Sequence, residues 1–580
     1  MMHHRLFFLM AVSSLTFLFS CQQNAPKIDM DVEVPNFALL DQNGDFHELY
    51  YYGDEKAVVL YTQKNGCSTV RNDMDELKTV RSAYQEKGVQ FLMINSTGKD
   101  SREEIKKEAE KYDIEFPVLE DKAQLAAEAL QLYRSGEAIV LDPETWSVSY
   151  RGPVNQLAVA LDAHLNGELL AENQINVKGT ALPIKHTDKS AFENISYSLD
   201  VAPILKEKCI KCHVEGGIAP FAMKDHATVF GWSQMMREVL RTKRMPPWHA
   251  DPHYGTFADD LSLTTEELQT LVHWIDAGAL KGEDEADPLA EYRPEKKEWT
   301  LGEPDLIIQL NKEEVPATGV IDYRYQMFEV DLDYDVYATA IQVIPDNDEV
   351  LHHLLVSVVY PDGYMEPIDR RSPWLDGLFA AWAPGQNVEE FPENTGRVLP
   401  AGSKLHFQLH YTTNGKAQSD ASTIGIYYTD KKPENEYLLA GAFKTDIELK
   451  PNSYYENSAK YRFDKEVTIY GLSPHMHYRG KEMKFVALYP DGKRETLLNV
   501  PNYSFNWQRT YRLAEPKTLP ARTVIFVDAV FDNTSKNTFN PAPEKTVYWG
   551  DFSFDEMLIG YMSFQYGKPA GPDSKRISMK

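Results

Sequence analysis

The chain has 580 residues and a formal net charge of −27, with 43% hydrophobic and 25% charged residues. This length exceeds what one hydrophobic core organises, so we expect three to five domains. The acidic balance argues against a nucleic-acid partner, because binding to phosphates requires a basic surface.

The N-terminus has the pattern of an export signal. A short basic start precedes an apolar run over residues 6–19, which is too short to span a membrane in the mature protein. The run ends at Ser20-Cys21, which resembles a bacterial lipobox. The resemblance implies a lipoprotein signal peptide over residues 1–21, with cleavage before Cys21 and lipidation of its thiol. We therefore expect an exported bacterial lipoprotein, anchored in a membrane and facing the periplasm or the cell surface. A plain signal peptide is the alternative.

Residues 22–36 form a polar tether, and residues 37–170 alternate between strand and helix patterns, which is typical of an α/β domain. The clearest elements are a strand over Val89–Asn95, a helix over Ser101–Tyr112 and a hairpin within residues 138–150.

Cys67 opens a predicted helix directly after a strand, where the helix dipole lowers the pKa of a thiol. Residues 65–71 and 140–143 resemble the redoxin branch of the thioredoxin fold, and this resemblance implies a peroxidatic or reductive role for Cys67. No second cysteine follows at the usual spacing, and residues 135–137 lack the proline that the family places there. A docking or scaffold domain with a retained thiol is therefore the alternative.

Residues 171–196 are polar and lack a period, which indicates a linker, whereas residues 197–285 favour helices. The strongest helix is predicted over Thr264–Ala277, because Thr264 and Glu267 form a capping box. This region resembles cytochrome c-like domains found beside copper oxygenase modules in bacterial proteins. Residues 286–303, charged and proline-bearing, indicate a second linker.

Cys209, Cys212 and His213 form the Cys-x-x-Cys-His motif of c-type haem attachment. Two thiols bond to the porphyrin and the adjacent histidine reaches the iron, so the motif predicts one covalent haem c. Met245, on a proline-rich loop, is the predicted second axial ligand of the iron. Three methionines compete with it: Met223, Met235 and Met236. A thioredoxin-like cysteine pair is the alternative, but this motif follows a helical segment and not a strand.

From residue 304 onwards, short alternating strands separated by turns predict two β-sandwich domains, over residues 304–432 and 433–580. Six histidines fall in three pairs on these strands: His352, His353, His406, His410, His475 and His477. His475 and His477 share one strand face, whereas adjacent histidines point to opposite faces unless a bulge turns them together. Nitrogen ligands combined with a thioether suit copper.

This pattern resembles the copper type II, ascorbate-dependent monooxygenases, which include peptidylglycine α-hydroxylating monooxygenase and dopamine β-monooxygenase. The resemblance implies two jelly-roll domains, two coppers and hydroxylation of a C–H bond with O2. The implied ligands of the first copper are His352, His353 and His410. Those of the second copper are His475, His477 and Met557. Gln408 and Tyr561 match family positions near the coppers, and His406 is expected to be structural or to support the ligands.

The whole fold expected is a thioredoxin-like α/β domain, then an all-α cytochrome c-like domain, then two copper-binding β-sandwiches. Ser473 and Ile559 replace an arginine and an asparagine of peptide-hydroxylating relatives, which argues against an amidated-peptide product. The substrate, a small molecule or a peptide, is not identified. We expect the haem to carry electrons between copper and a periplasmic donor. The rival classes are an electron-transfer or copper-handling protein without a substrate, and an anchored binding scaffold.

Overall fold

The computed structural model describes residues 27–184, 192, 194–282, 286–293, 297–364, 378–386 and 388–569. Cys21 and the predicted signal peptide lie outside these residues. None of the helices in the described ranges combines the length and apolar character needed to cross a membrane.

The first domain alternates strands and helices, as the sequence predicts. Its elements are β1 (Ala38–Leu40), β2 (Phe46–Glu48), β3 (Ala57–Gln63), α1 (Ser68–Tyr84), β4 (Val89–Asn95), α2 (Arg102–Lys111), β5 (Val118–Glu120), α3 (Leu125–Ala129), β6 (Ala138–Leu141), β7 (Val148–Gly152) and α4 (Leu157–Asn166). The main sheet has the order β5-β4-β3-β6-β7, with β3, β4 and β5 parallel and the β6-β7 hairpin antiparallel. This arrangement confirms the thioredoxin-like α/β fold.

Strand β3 shows why this sheet is stable. All its residues are buried, and alternate side chains enter two separate cores, with Val59 and Tyr61 on one face and Val58 and Leu60 on the other. A strand covered on both faces has a continuous apolar sequence, which is the pattern seen here.

The segment that the sequence indicates to be a linker packs in part against this first domain. The Ile175 N–H donates to the Arg151 carbonyl at 2.9 Å, and the Leu182 N–H donates to the Tyr133 carbonyl at 2.9 Å. Ile175 and Leu182 also pack against the domain's two cores. Two apolar anchors therefore hold a segment whose composition is otherwise polar.

Helices and loops make up the next region. A π-helical turn over Tyr197–Val201 leads into α5 (Ala202–Lys208), followed by α6 (His226–Arg241) and α7 (Thr265–Asp276). The predicted capping box at α7 is confirmed, since Thr264 and Glu267 bond each other's backbone N–H groups. The helices pack around a core of their own that includes Trp274 and Leu271.

The C-terminal region is rich in β-strands, as predicted. The first unit contains β8 (Leu306–Gln309), β9 (Glu313–Val315), β10 (Arg324–Glu329), β11 (Val336–Ile344), β12 (Leu351–Val359), β13 (Leu378–Trp382), β14 (Val388–Glu390), β15 (Thr395–Leu399), β16 (Lys404–Tyr411), β17 (Gln418–Asp420), β18 (Thr423–Thr429) and β19 (Asn435–Glu436). Its two main sheets have the orders β10-β16-β12-β13 and β19-β15-β11-β18-β8. Both sheets contribute to one core.

The second unit contains β20 (Leu438–Phe443), β21 (Glu448–Leu449), β22 (Tyr454–Arg462), β23 (Val467–His475), β24 (Gly480–Leu488), β25 (Arg494–Val500), β26 (Tyr511–Leu519), β27 (Val524–Asp532), β28 (Val547–Tyr548) and β29 (Ile559–Tyr566). Its main sheets have the orders β20-β29-β23-β26 and β22-β27-β24-β25. A second core fills the space between them, and Trp248 of the helical region packs into it.

Asp251 joins three parts of the chain. Its carboxylate lies 2.6 Å from the Arg102 guanidinium of the first domain, and its backbone N–H donates to the Asn499 carbonyl of the second β unit at 2.8 Å. The side chain of Asp251 is fully buried and that of Arg102 is 5% exposed. A second contact between the same outer domains is the hydrogen bond that the Tyr51 hydroxyl donates to Asp532 at 2.8 Å.

Candidate metal and redox sites

Three histidines of the first β unit converge. His352 and His353 lie at the start of β12, and His410 lies near the end of β16. A register shift between Leu351 and His353 interrupts the pairing of these strands. Adjacent residues of a regular strand point to opposite faces, and an irregularity of this kind allows His352 and His353 to point to the same side. The Nδ1 of His353 is 3.1 Å from the Nδ1 of His352 and 3.4 Å from the Nδ1 of His410.

The spacing and the protonation state of these three histidines suit a metal ion. In the described part of the chain, they are the one group of three or more His, Cys, Asp or Glu side chains gathered closely enough to hold an ion. Burial lowers the pKa of all three, that of His410 to about 3, so each imidazole is neutral, the form that ligates metals. The His352 Nε2 lies 2.9 Å from the Asn506 carbonyl. Because a carbonyl only accepts, Nε2 carries the proton and Nδ1 is free for a metal.

His475 and His477 form a second group. Their ring centroids are 5.3 Å apart. The Nδ1 of His475 lies 2.6 Å from the Gln508 Oε1, and the Nδ1 of His477 lies 3.2 Å from the Asp555 carbonyl. Burial lowers their pKa values to about 4 and about 3. Both rings therefore present an unprotonated Nε2. The first group differs, because its rings approach one another through Nδ1.

Glu556 fixes the turn that carries His477, a role that no motif in the sequence predicted. Its Oε2 accepts the His477 N–H at 2.9 Å and its Oε1 accepts the Arg479 N–H at 2.6 Å. Glu556 is fully buried and directly precedes Met557, which is 9% exposed. One carboxylate thus ties the histidine turn to the segment bearing the predicted thioether ligand. The one sequence feature that pointed to Glu556 is the apolar run that follows this acidic residue.

Phe505 brings the two histidine groups together. Its ring centroid lies 6.4 Å from that of His352, 5.9 Å from that of His410 and 6.1 Å from that of His477. Positive charge on His475 or His477 would lower the pKa of His353, although burial is the larger cause. The two β units therefore present their histidines across a single aromatic side chain.

The other predicted residues lie around these groups. Gln408 occupies β16 two residues before His410, and its Nε2 donates to the Tyr325 hydroxyl at 3.3 Å. The Tyr561 ring lies 5.9 Å from the His475 ring. His406 stacks on Tyr325 with a centroid distance of 5.5 Å and is not part of the three-histidine group.

The Cys-x-x-Cys-His motif follows α5. The Nδ1 of His213 lies 3.0 Å from the Phe221 carbonyl, which leaves Nε2 unprotonated and available to an iron. Burial raises the pKa of Cys209 to about 12 and also raises that of Cys212. Reactive dithiols have lowered pKa values, so this pair lacks the lowered thiol pKa that is typical of thiol–disulfide exchange.

The candidate axial methionines differ in their surroundings. Met245 is half-buried on the loop after α6, and Met223 is buried with its N–H bonded to the His213 carbonyl at 2.8 Å. On α6, Met236 packs in the helical core and Met235 is 56% exposed. The donor set of His213, two cysteines and a neighbouring methionine fits haem c.

The motif also lies beside the first histidine group. A Cβ at position 385 would be 3.7 Å from the Cys212 sulfur. The preceding residues, Ala383 and Pro384, line a small cavity together with His352, His353 and residues 506–509. A group bonded to Cys212 would therefore border the loop that encloses two of the three converging histidines.

Cys67 precedes α1 as predicted and is 4% exposed. Burial raises the pKa of its thiol, but hydrogen bonds donated by Ser135 at 3.3 Å and Thr180 at 3.4 Å outweigh burial and lower the pKa to about 6. Ser135 stands in the loop where the redoxin family places a proline. Thr180 belongs to residues 179–182, which cover the thiol and which we call the strap.

Replacing Gly179 with alanine should expose Cys67. A Cβ at position 179 would lie 1.4 Å from the Ser135 carbonyl oxygen, so the strap would have to leave. It is held by backbone hydrogen bonds worth roughly 0.5–1.5 kcal/mol each, and 1.4 kcal/mol corresponds to about tenfold. We expect iodoacetamide to alkylate the Cys67 peptide at least ~10-fold faster, measured by mass spectrometry. Gly231→Ala, with open space around the new Cβ, is the control, and equal rates would exclude a covering role.

Comparison with known proteins identifies the first domain. Residues 30–156 match the AhpC/TSA family, so the chain carries an N-terminal AhpC/TSA redoxin domain. A conserved protein from Geobacillus kaustophilus is 27% identical over 28% of this chain and 97% of its own, with a TM-score of 0.27. The thioredoxin domain of a thiol-disulfide oxidoreductase from Bacteroides vulgatus is 19% identical over 24% of this chain and 100% of its own, with a TM-score of 0.22.

Peroxidoxin BcpB from Mycobacterium tuberculosis is 17% identical over 24% of this chain and 96% of its own, with a TM-score of 0.21. No curated protein matches the chain.

Proposed function

We propose that this chain is a copper-dependent monooxygenase that hydroxylates a C–H bond with O2 and receives electrons through its own haem c. The observation that carries the proposal is the convergence of His352, His353 and His410 through Nδ1, opposite a second pair that presents Nε2. The two groups present different ring nitrogens on either side of Phe505. This arrangement favours two metal ions with separate roles over one structural ion.

The chain's residues would divide as follows. Bound copper would supply one-electron chemistry with O2. His352, His353 and His410 would hold the first ion. His475, His477 and Met557 would hold the second, where O2 and substrate meet. The role of the protein at both groups is to keep the imidazoles neutral and to fix which ring nitrogen points inward. Gln408 and Tyr561 would border the reacting groups.

The helical region, over residues 197–285, would be the cytochrome c-like domain, with Cys209 and Cys212 bonded to the porphyrin and His213 and Met245 as axial ligands. A methionine ligand raises the reduction potential and suits electron transfer. The 3.7 Å between the Cys212 sulfur and a Cβ at position 385 supports delivery to the first histidine group. Electrons would enter from a periplasmic donor, and lipid on Cys21 would hold the chain at a membrane.

The redoxin domain adds a candidate redox function. Its AhpC/TSA match and the lowered pKa of Cys67 support thiol reactivity, whereas the strap and the lack of a partner cysteine support a docking role.

The second candidate for the whole chain is an electron-transfer or copper-binding lipoprotein without substrate oxidation. It is favoured by the same buried histidines, which would also serve a site that only stores or relays.

The proposal is tested by measuring the copper content and the O2 consumption of the purified protein. We expect two coppers per haem and O2 consumption with ascorbate as the reductant. Met557→Ala should lower O2 consumption by at least ~100-fold, because changes around a ligand alone cost 10–100-fold, while copper at the three-histidine group remains. Met327→Ala, a methionine that is 55% exposed on β10, should change neither quantity. A single tightly held copper without O2 uptake would instead establish the second candidate.

A further inference from the structure

One short segment contacts both histidine groups. Residues 505–509 lie in the connection between β25 and β26 and include a 3-10 turn over Phe505–Trp507. The Asn506 carbonyl accepts a hydrogen bond from the His352 Nε2 at 2.9 Å, and the Gln508 side chain lies 2.6 Å from the His475 Nδ1. The Phe505 ring lies between the groups. We call these five residues the bridge.

The orientation of the Gln508 amide is fixed by a bond within the bridge. Its Nε2 donates to the Phe505 carbonyl at 3.2 Å, so its Oε1 must face His475. An oxygen accepts and cannot donate, hence the His475 Nδ1 carries the proton and Nε2 is left for a ligand. The Asn506 carbonyl imposes the opposite choice on His352, where Nε2 carries the proton.

The bridge also extends to the helical region. The Arg509 guanidinium lies 5.6 Å from the centre of the Trp248 ring, and Trp248 itself packs into the core of the second β unit. Residues 506–509 line the cavity beside His352 and His353. The bridge is thus held at both ends by packing, and its polar groups project to the histidines from a fixed backbone.

We propose that Gln508 is a positioning residue that selects the metal-binding nitrogen of His475, and that the bridge sets this choice in register with that of His352. This role rests on the copper binding proposed above. A leucine at position 508 has a similar size but cannot accept a hydrogen bond, so the His475 ring would be free to rotate and to exchange tautomers. A glutamate retains the acceptor oxygen.

Copper binding to the full-length protein, measured by equilibrium dialysis and electron paramagnetic resonance, tests this role. In Gln508→Leu we expect the affinity for the second copper to fall by 10–100-fold, the range found when the partner of a metal-bound histidine is removed, while the three-histidine copper and its spectrum are retained. Gln508→Glu retains an acceptor oxygen and should restore most of the affinity for the second copper.

The outcomes separate this role from the proposed function. Equal loading of both coppers in Gln508→Leu and wild type would overturn the positioning role alone. Loss of both coppers in Gln508→Leu would also overturn it, because the defect would then be a general failure of the fold. Wild-type protein that binds no copper would overturn the proposed function together with this role.

Discussion

Asp251→Ala is expected to lower the free energy of unfolding by about 3 kcal/mol. Removing one partner of a buried ion pair costs about 3–5 kcal/mol, because the other charge is left unpaired. Here that charge is the Arg102 guanidinium, whose side chain is 5% exposed. The lower end of the range applies, since the Arg102 Nε keeps Glu120 at 3.4 Å. Urea denaturation at pH 7 measures the change.

The same residue gives stability a dependence on pH. Burial raises the pKa of Asp251, but the hydrogen bond from His253 and the charge of Arg102 outweigh burial and lower the pKa to about 2. A lowered pKa stabilises the folded state above the unfolded value, about 3.9, and this stabilisation is lost as pH falls through about 2. Wild-type protein should therefore lose stability between about pH 4 and pH 2 that the variant never had.

The control for both measurements is Asp333→Ala, because Asp333 is exposed in the loop before β11. Surface substitutions of this kind change stability by about 0.5 kcal/mol or less. A change below about 1 kcal/mol in Asp251→Ala would mean that the contact between the three domains contributes little to stability.

Cys212→Ala is expected to abolish the spectrum of a haem held by two thioethers. In the proposed haem attachment each thiol would form one bond to the porphyrin, so the single variant would retain at most the bond from Cys209. The double variant with Cys209→Ala would retain none. The pyridine haemochrome spectrum measures the number of bonds, and extraction with acidified acetone measures the covalent fraction. We expect nearly all of the haem to be extracted from the double variant.

Cys67→Ala is the matched control, because it also removes a cysteine that forms no disulfide but lies in the redoxin domain. It should leave the haem spectrum unchanged. Wild-type protein without any haemochrome, or a disulfide between Cys209 and Cys212, would favour the thioredoxin-like pair that the spacing also permits.

Local patterns accounted for much of the fold. The redoxin-like elements follow from alternating apolar runs, and the start of α7 follows from Thr264 and Glu267, because each pattern is set by neighbours in the chain. The choice of candidate ligands rests on the resemblance to the copper monooxygenases, together with histidines that are closely spaced on predicted strands. The convergence of His352, His353 and His410 could not be predicted, because it depends on an irregular pairing between β12 and β16.

The contacts that the sequence did not predict are made by residues that belong to no repeating pattern of apolar and polar positions. Gln508 and His475 are 33 residues apart, and Asp251 and Arg102 are 149 apart. Each is an ordinary polar residue in its own stretch of chain. Gln508 acquires its partner only when the second β unit folds, and Asp251 acquires its partner only when separate domains dock. The packing of the segment that contains the strap was hidden similarly, because Ile175 and Leu182 are isolated apolar residues within a polar segment.

The bond between Tyr51 and Asp532 has a consequence for how the molecule is made. Its partners are 481 residues apart, and Lys536 and Glu55 form an ion pair at 3.2 Å beside it. At a synthesis rate of roughly 5–20 residues per second, Tyr51 is made about 25–95 s before Asp532. Until the second β unit has folded, the face around Tyr51 is open to other proteins. We expect chaperones to act at this stage, and C-terminal truncation to leave a folded domain with a permanently uncovered face.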